Sequence, residues 1–389
     1  MTPGLRRISV AAVLLLLLGM VVNVLAQNAA KPPVSDAAID ASLALKRMLN
    51  DSGSDAIPTI DIPDKPTVSN REPEPLIPPP ARRLRVVLDW YPTPYHAPLI
   101  VAREQDLFDR KGLEVTLTTP ADPSVPPKLI AAQRAELALT SQPQLHLLVE
   151  QGLPLIRVGT LVPAPLATLL ARKDNGIDGL VLLKGKTLGY AQEGPARIWL
   201  DAILEDQPIG PDDLSLRRID FALTPSLLEG EVDAVIGAMR HVTRHQLMQQ
   251  GVDAVEFLVE ASDLPVYDEL ILVANRDVLG QHRRDIADFL DALEQATLWL
   301  VNNPERGWEL VSRAEPGIDT AGNAKAWPDV LRYLALRPAT LQARRYLRFE
   351  TYLQGRGLIE TLTPIERLAV DVSDVDSPGE NGTTRDGSG

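Results

Sequence analysis

From residue 85 to residue 274, short apolar runs alternate with longer segments of helical period, and few architectures accept that rhythm. The first series reads strand 85–88, helix 97–108 closed by Gly112, strand 113–117, helix 127–132, strand 137–140, helix 144–151 and strand 155–158. A second series reads strand 186–190, helix 196–204 and strands 216–221, 234–236 and 270–274. Beyond it Ile286, Phe289, Leu290, Leu293, Leu300 and Val301 keep a helical stripe up to Asn303-Pro304. The pattern predicts an α/β fold built of mainly parallel sheets, without an internal sequence repeat. A core of this length is enough for two lobes rather than one.

Both flanks of that core differ from it in composition. Arg6 and Arg7 precede an apolar run from Val10 to Leu18, and Val24-Leu25-Ala26 forms a small-residue exit, the layout of an export signal over residues 1–26 cleaved after Ala26. Residues 27–83 are rich in Pro, Ser, Asp and Glu and read as a disordered linker, and 366–389 read as a disordered tail. The chain has no cysteine, which excludes disulfides, thiolate metal sites and a lipidated anchor cysteine. An exported chain of this kind is expected free in the periplasm. The formal net charge is −13, no Lys/Arg run tracks a phosphate backbone, and nucleic acid is not an expected partner.

In open α/β sheets ligands sit beyond the carboxyl ends of strands, so the loops there deserve the closest reading. The first reads LDWYPTPYHAP from Leu88 to Pro98, and it gathers Trp90, Tyr91 and Tyr95 in a chain with only 5 Trp, 7 Tyr and 5 Phe. These rings either plug the core beneath the loop or, stiffened by Pro92, Pro94 and Pro98, form a platform for a flat ligand. The second is YDELILVAN, from Tyr267 to Asn275, where Asp268 and Glu269 stand at the mouth of an apolar strand. A carboxylate there either solvates the strand entrance or accepts hydrogen bonds from the amino group and protonated ring nitrogen of an aminopyrimidine. Alternation along a strand turns only one of these neighbours inward.

These segments resemble the periplasmic binding proteins for thiamine-pyrimidine precursors, in the family shared with sulfonate-binding proteins and the fungal thiamine-pyrimidine synthases. The resemblance covers residues 84–363 and rests on LDWYPTPYHAP, PADPS at 120–124, SQPQLH at 141–146, LKGKTLGY at 183–190, GEVDAVIGAMR at 230–240 and YDELILVAN. It implies a type II periplasmic-binding fold, with one lobe of 84–180 plus 277–365, a second of 181–276, and a ligand cleft and hinge between them. It further implies Trp90 as stacking platform with Tyr91 beside it, Tyr267 as a second ring, and Glu269 or Asp268 reading the amino-pyrimidine edge. His96, Gln142 and the Glu193-Gly194 turn would face the same cleft, and the helix opening near Pro195 could offer free amides to a polar substituent. The segment Met239-Arg240-His241 departs from the family pattern. The expected partners are a small aminopyrimidine and the permease and ATPase subunits of an ABC importer, with the carrier itself a monomer and no cofactor.

The family's enzymes set the competing expectation. The fungal synthases need a cofactor-binding lysine, a donor histidine and a cysteine-rich run; in an ungapped reading Thr140 and Gln144 occupy the first two positions and 264–268 replace the third. The resemblance therefore implies a carrier that is not an enzyme. A sulfonate carrier of the same fold would need a basic or amide-rich pocket, against which Trp90 and Glu269 argue. His241 and His245 share a helix face without a third metal ligand, and Gly189 and Gly194 make no nucleotide-binding fingerprint.

Overall fold

The computed structural model describes residues 81–373; the expected export signal, nearly all of the expected linker and the last residues of the expected tail lie outside them. The chain opens with β1 (Arg82–Val87), α1 (Ala97–Glu104), β2 (Leu113–Thr118), α2 (Pro126–Ala131), β3 (Leu137–Thr140), α3 (Gln142–Glu150) and β4 (Leu155–Val162). It continues through β5 (Ala167–Arg172), β6 (Thr187–Tyr190), α4 (Glu193–Leu204), β7 (Ser215–Arg218), α5 (Leu223–Glu229), β8 (Ala234–Met239), α6 (Arg240–Gln249), β9 (Ala254–Leu258) and β10 (Leu270–Asn275). Helices close the chain: α7 (Leu279–Asn302), α8 (Pro304–Ala314), α9 (Ala321–Arg332), α10 (Ala343–Gly355) and α11 (Ile365–Leu368).

Two five-stranded sheets result, ordered β2-β1-β3-β10-β4 and β7-β6-β8-β5-β9. In each, the first three strands in this order pair in parallel, as the β/α rhythm predicts, while the fourth lies antiparallel to both its neighbours, so that four of the five strands share one direction. The sheets are therefore mixed rather than mainly parallel. The antiparallel strand is in both cases the one that enters from the other lobe, β10 in the first sheet and β5 in the second. The lobe boundaries consequently fall earlier than the resemblance implies. The chain changes sheet between Val162 and Ala167, not near 180, and has returned by Leu270, before 276. The segments expected to be disordered also overlap the described residues: β1 begins at Arg82, and Leu368, Ala369 and Val372 are buried, with Ala369 bridging to Arg157.

Each lobe has its own apolar core. α7 presents Ile286, Phe289, Leu290, Leu293 and Leu300 to the first sheet and α1, with Phe289 stacked on Phe108 at 5.0 Å. The buried face of α4 supplies Ile198, Trp199, Leu200 and Ile203 to the second. Two buried polar clusters fix the first lobe around the returning strand. Arg157, with no exposed surface, donates to Thr160 Oγ1 and to the carbonyls of Pro338, Ala339 and Thr340, pinning β4 to the segment before α10. Thr160 in turn donates to Asp268 Oδ2 at 3.1 Å, which also receives the Tyr346 hydroxyl at 3.0 Å, while Arg345 pairs with Oδ1.

Behind these, Gln142 Oε1 accepts from the Asp268 amide at 2.8 Å, and its Nε2 stands 3.2 Å from His146 Nε2. Because that amide nitrogen must donate, His146 carries its proton on Nδ1, 4.0 Å from Glu350. Burial pushes the His146 pKa from 6.5 down to about 3. A histidine depressed in the folded state gives stability that is intact above its unfolded pKa and is lost as pH falls. The expected outcome is acid destabilisation between pH 6.5 and about 3 that is weaker in His146→Gln, measured as urea midpoints across that range.

Candidate ligand-binding site

The cleft forms where the chain crosses between sheets. Beyond β1 the backbone turns at Asp89 and Trp90 and is tightened by Pro94 at the start of a single 3-10 turn, Pro94–His96. His96, 1% exposed, accepts the Thr93 amide on Nδ1 at 2.9 Å and reaches Asp89 Oδ1 through Nε2 at 2.9 Å. The Trp90 ring meets the edge of Phe221, from the loop after β7, at 4.7 Å and 87°, and lies 5.6 Å from Tyr91. It also packs against the second lobe's apolar cluster of Leu170, Leu223 and Leu227. Trp90 is thus half-buried between the lobes and is part of the cleft wall at once.

Opposite stands Glu269, at the entrance to β10 and 7% exposed. Its Oε2 accepts the backbone amides of Leu166 at 2.7 Å and Ala167 at 3.0 Å and the Tyr267 hydroxyl at 3.2 Å. The residue just before the second crossing strand therefore grips the first crossing. All three bonds end on Oε2, which leaves Oε1 to the cleft. Burial raises the Glu269 pKa and the three hydrogen bonds work against that rise; the Asp89 charge adds to it. Burial and the Glu269 charge also push the Tyr267 phenol well above its ordinary range, so Tyr267 stays a donor.

Between these walls lies a cavity of about 110 Å³, floored by Thr140, Trp199, Ile236, Gly237 and Met239 and bordered by Gln192, Thr224 and Gln246. An apolar cavity of about 150 Å³ takes one benzene, so the scale here is a single small ring. Gly237 adopts φ +86°, and a Cβ there would stand 2.7 Å from the Trp199 ring. The Thr140 hydroxyl is buried without a partner. No lysine or arginine lines the cavity among the described residues.

Of the residues singled out from sequence, Trp90, Tyr91, His96 and Glu269 line this cavity. Tyr267, fully buried, does not: its ring meets the edge of Phe349 at 5.5 Å and its hydroxyl supports Glu269. The ring that closes on Trp90 from the second lobe is Phe221. Asp268 points the other way, into the Thr160, Tyr346 and Arg345 cluster, as strand alternation requires once Glu269 faces inward. Gln142 is buried behind Asp268. Glu193 and Gly194 line a neighbouring groove with Lys128, Arg197 and Arg218, which meets the cavity only at Ala191 and Gln192. Asp89, Thr140, Trp199, Phe221 and Gly237 were not singled out as site residues, although Asp89 lies inside the LDWYPTPYHAP motif.

Two mixed α/β lobes with a ring-sized cleft at their crossing strands define a periplasmic-binding-protein fold. The alkanesulfonate-binding protein SsuA of Xanthomonas axonopodis pv. citri, solved with MOPS, shares it at TM-score 0.59 and 16% identity over 74% of this chain and 96% of that one. The aliphatic sulphonate-binding SsuA of Escherichia coli does so at TM-score 0.57 and 14% identity, over 74% and 96%.

The chain belongs to the NMT1/THI5-like family, whose profile matches residues 93–307. A Haemophilus influenzae protein whose name places it in thiamine biosynthesis is 39% identical over 75% of this chain and 92% of its own. The formylaminopyrimidine-binding protein of Halalkalibacterium halodurans is 30% identical over 57% and 67%. The 4-amino-5-hydroxymethyl-2-methylpyrimidine phosphate synthase THI5 of Saccharomyces cerevisiae is 26% identical over 58% and 69%.

The grip of Glu269 on the first crossing can be tested without ligand. Glu269→Gln keeps an oxygen for the two amides and should cost about 1 kcal/mol or less. Glu269→Ala leaves both amides buried and unpaired and should cost about 2 kcal/mol or more. Urea unfolding of the two variants beside wild type gives the comparison.

Proposed function

We propose that this protein is the solute-binding component of an ABC importer, capturing a thiamine pyrimidine precursor of the 4-amino-2-methylpyrimidine type for uptake and salvage, and releasing it unchanged. The observation that carries the reading is the unoccupied face of Glu269: a buried carboxylate offers Oε1 at the base of a one-ring cleft walled by Trp90. A carboxylate oxygen accepts the amino group and a protonated ring nitrogen of such a pyrimidine, while an indole face stacks on its ring. The kinship with a formylaminopyrimidine-binding protein and with a thiamine biosynthesis protein supports the same cargo class. In this reading the carrier is exported, works in the periplasm as a monomer without lipid anchor or cofactor, and delivers to permease and ATPase subunits.

The same cavity speaks against the synthase reading. Imine formation with an aldehyde cofactor needs an amine, and Thr140 lines the cleft at the lysine position of the resemblance. Charge speaks against a sulfonate reading, since among the described residues the lining includes Asp89 and Glu269 and no lysine or arginine.

Calorimetry on the chain lacking residues 1–26, followed by chromatography of the recovered ligand, tests the proposal. A 4-amino-2-methylpyrimidine should bind and return intact. At about a hundred times Kd it should add roughly 2.7 kcal/mol of stability. Glu269→Gln should weaken binding by about 1.5 to 3 kcal/mol, because its new amide faces the ligand's donors. Trp90→Ala should weaken it by about 1 to 3 kcal/mol. An altered product, or tight binding of an alkanesulfonate with none of any aminopyrimidine, overturns the reading.

A further inference from the structure

The turn that carries Trp90 holds a second, differently built carboxylate. His96 is buried, and the Thr93 backbone N–H donates to its Nδ1 at 2.9 Å. A ring nitrogen that accepts from an amide carries no proton, so the proton of the neutral ring sits on Nε2, 2.9 Å from Asp89 Oδ1. Both ring nitrogens are thereby committed, and His96 acts on the cleft through Asp89. The Asp89 side chain is 17% exposed and lines the cavity, and no hydrogen bond from a described residue reaches its Oδ2.

Charge around the cavity is one-sided. Asp89 and Glu269 line it together, and the Asp89 charge is felt at Glu269. The other titratable groups nearby do not offset them. Tyr267 donates to Glu269, and the Tyr95 phenol, buried and without a partner, is pushed far above its ordinary range, first by burial and then by the Glu269 charge. The Arg240 charge reaches Tyr95 and Tyr267, but the guanidinium is turned to Glu260 and the Pro165 carbonyl. Two carboxylates sharing a desolvated site repel each other, and a cation between them removes that cost. The surrounding rings of Trp90, Tyr91 and Phe221 add faces that attract positive charge.

We propose that Asp89, oriented by His96, is a second recognition carboxylate, and that the cleft takes its cargo as a cation with Asp89 and Glu269 as the two counter-charges. Resting on the aminopyrimidine reading above, this specifies the bound species as the pyrimidine protonated on a ring nitrogen. His96 is a positioning residue.

The ultraviolet spectrum of an aminopyrimidine differs between its neutral and protonated forms, so the protonation of 4-amino-2-methylpyrimidine can be followed in the complex as pH is raised. On wild type the bound ligand should stay protonated at least about one pH unit above its free midpoint, which is about a tenfold preference for the cation. Asp89→Asn should bind about tenfold more weakly and move the bound midpoint back toward the free value. His96→Gln, which keeps a donor for Asp89, should retain the wild-type midpoint, while His96→Leu should lose part of the shift. Melting curves confirm that each variant is folded.

A second probe pair does not depend on the aminopyrimidine reading. Benzamidinium should bind wild type about tenfold or more tightly than the neutral, near-isosteric benzamide. Equal or reversed affinities for this pair, a neutral bound spectrum, or wild-type binding by Asp89→Asn overturns the proposal. Cation preference with no aminopyrimidine binding at all leaves the cation site standing and removes the cargo assignment instead.

Discussion

One carboxylate oxygen ties the two crossings between the lobes to each other. The chain passes from the first sheet to the second through Val162–Ala167 and returns ahead of Leu270, and Glu269 Oε2 bonds the amides of Leu166 and Ala167 across that gap. The two crossings are therefore tied to each other at the only side chain that also presents a carboxylate from β10's entrance to the cavity. Such a tie is sound because backbone amides satisfy the buried oxygen where a lone carboxylate would be costly. The lining of the cavity and the tie between the crossings consequently rest on the same functional group.

The rest of the first lobe reads as support for that residue. Asp268, its neighbour, is turned into a cluster of Thr160, Tyr346 and Arg345, and Thr160 is held by Arg157. Gln142 fixes the Asp268 amide from the other side. With Asp268 anchored this way, a one-residue slip of β10 would carry a charge into an apolar layer, so the register that aims Glu269 at the cleft is specified by its neighbour.

Much of this was legible in the sequence, and the limits have physical causes. The strands at 137–140 and 270–275 announce themselves as apolar runs bounded by turn residues and that at 113–118 as an apolar–polar alternation, and YDELILVAN marks a carboxylate at a strand mouth. Alternation says that only one of Asp268 and Glu269 can face inward, but the period alone has no phase; the phase comes from partners far away in sequence. β5 escaped because Ala167–Arg172 follows a stretch with Pro163 and Pro165, and β9 because its Ala254–Leu258 run is only partly buried. Phe221 is a lone aromatic in a loop, and nothing local says that it meets Trp90 from the opposite lobe. Tyr267 looked like a stacking ring since its type and position fit, whereas its full burial depends on Phe349, more than eighty residues later.

The depth of the cleft is set by an atom that is missing. Gly237 leaves just enough room for the Trp199 ring, and its backbone conformation is one that other residues enter at a cost. Any side chain there would meet the indole, which itself lines the cavity. Change in the cavity's size is thus lopsided at this position: no side chain can be added beside the indole, and more room has to be reached by trimming Trp199 itself. Variation that leaves this contact alone is open to polar lining residues such as Gln192, Thr224 and Gln246, none of which meets a Cβ at position 237.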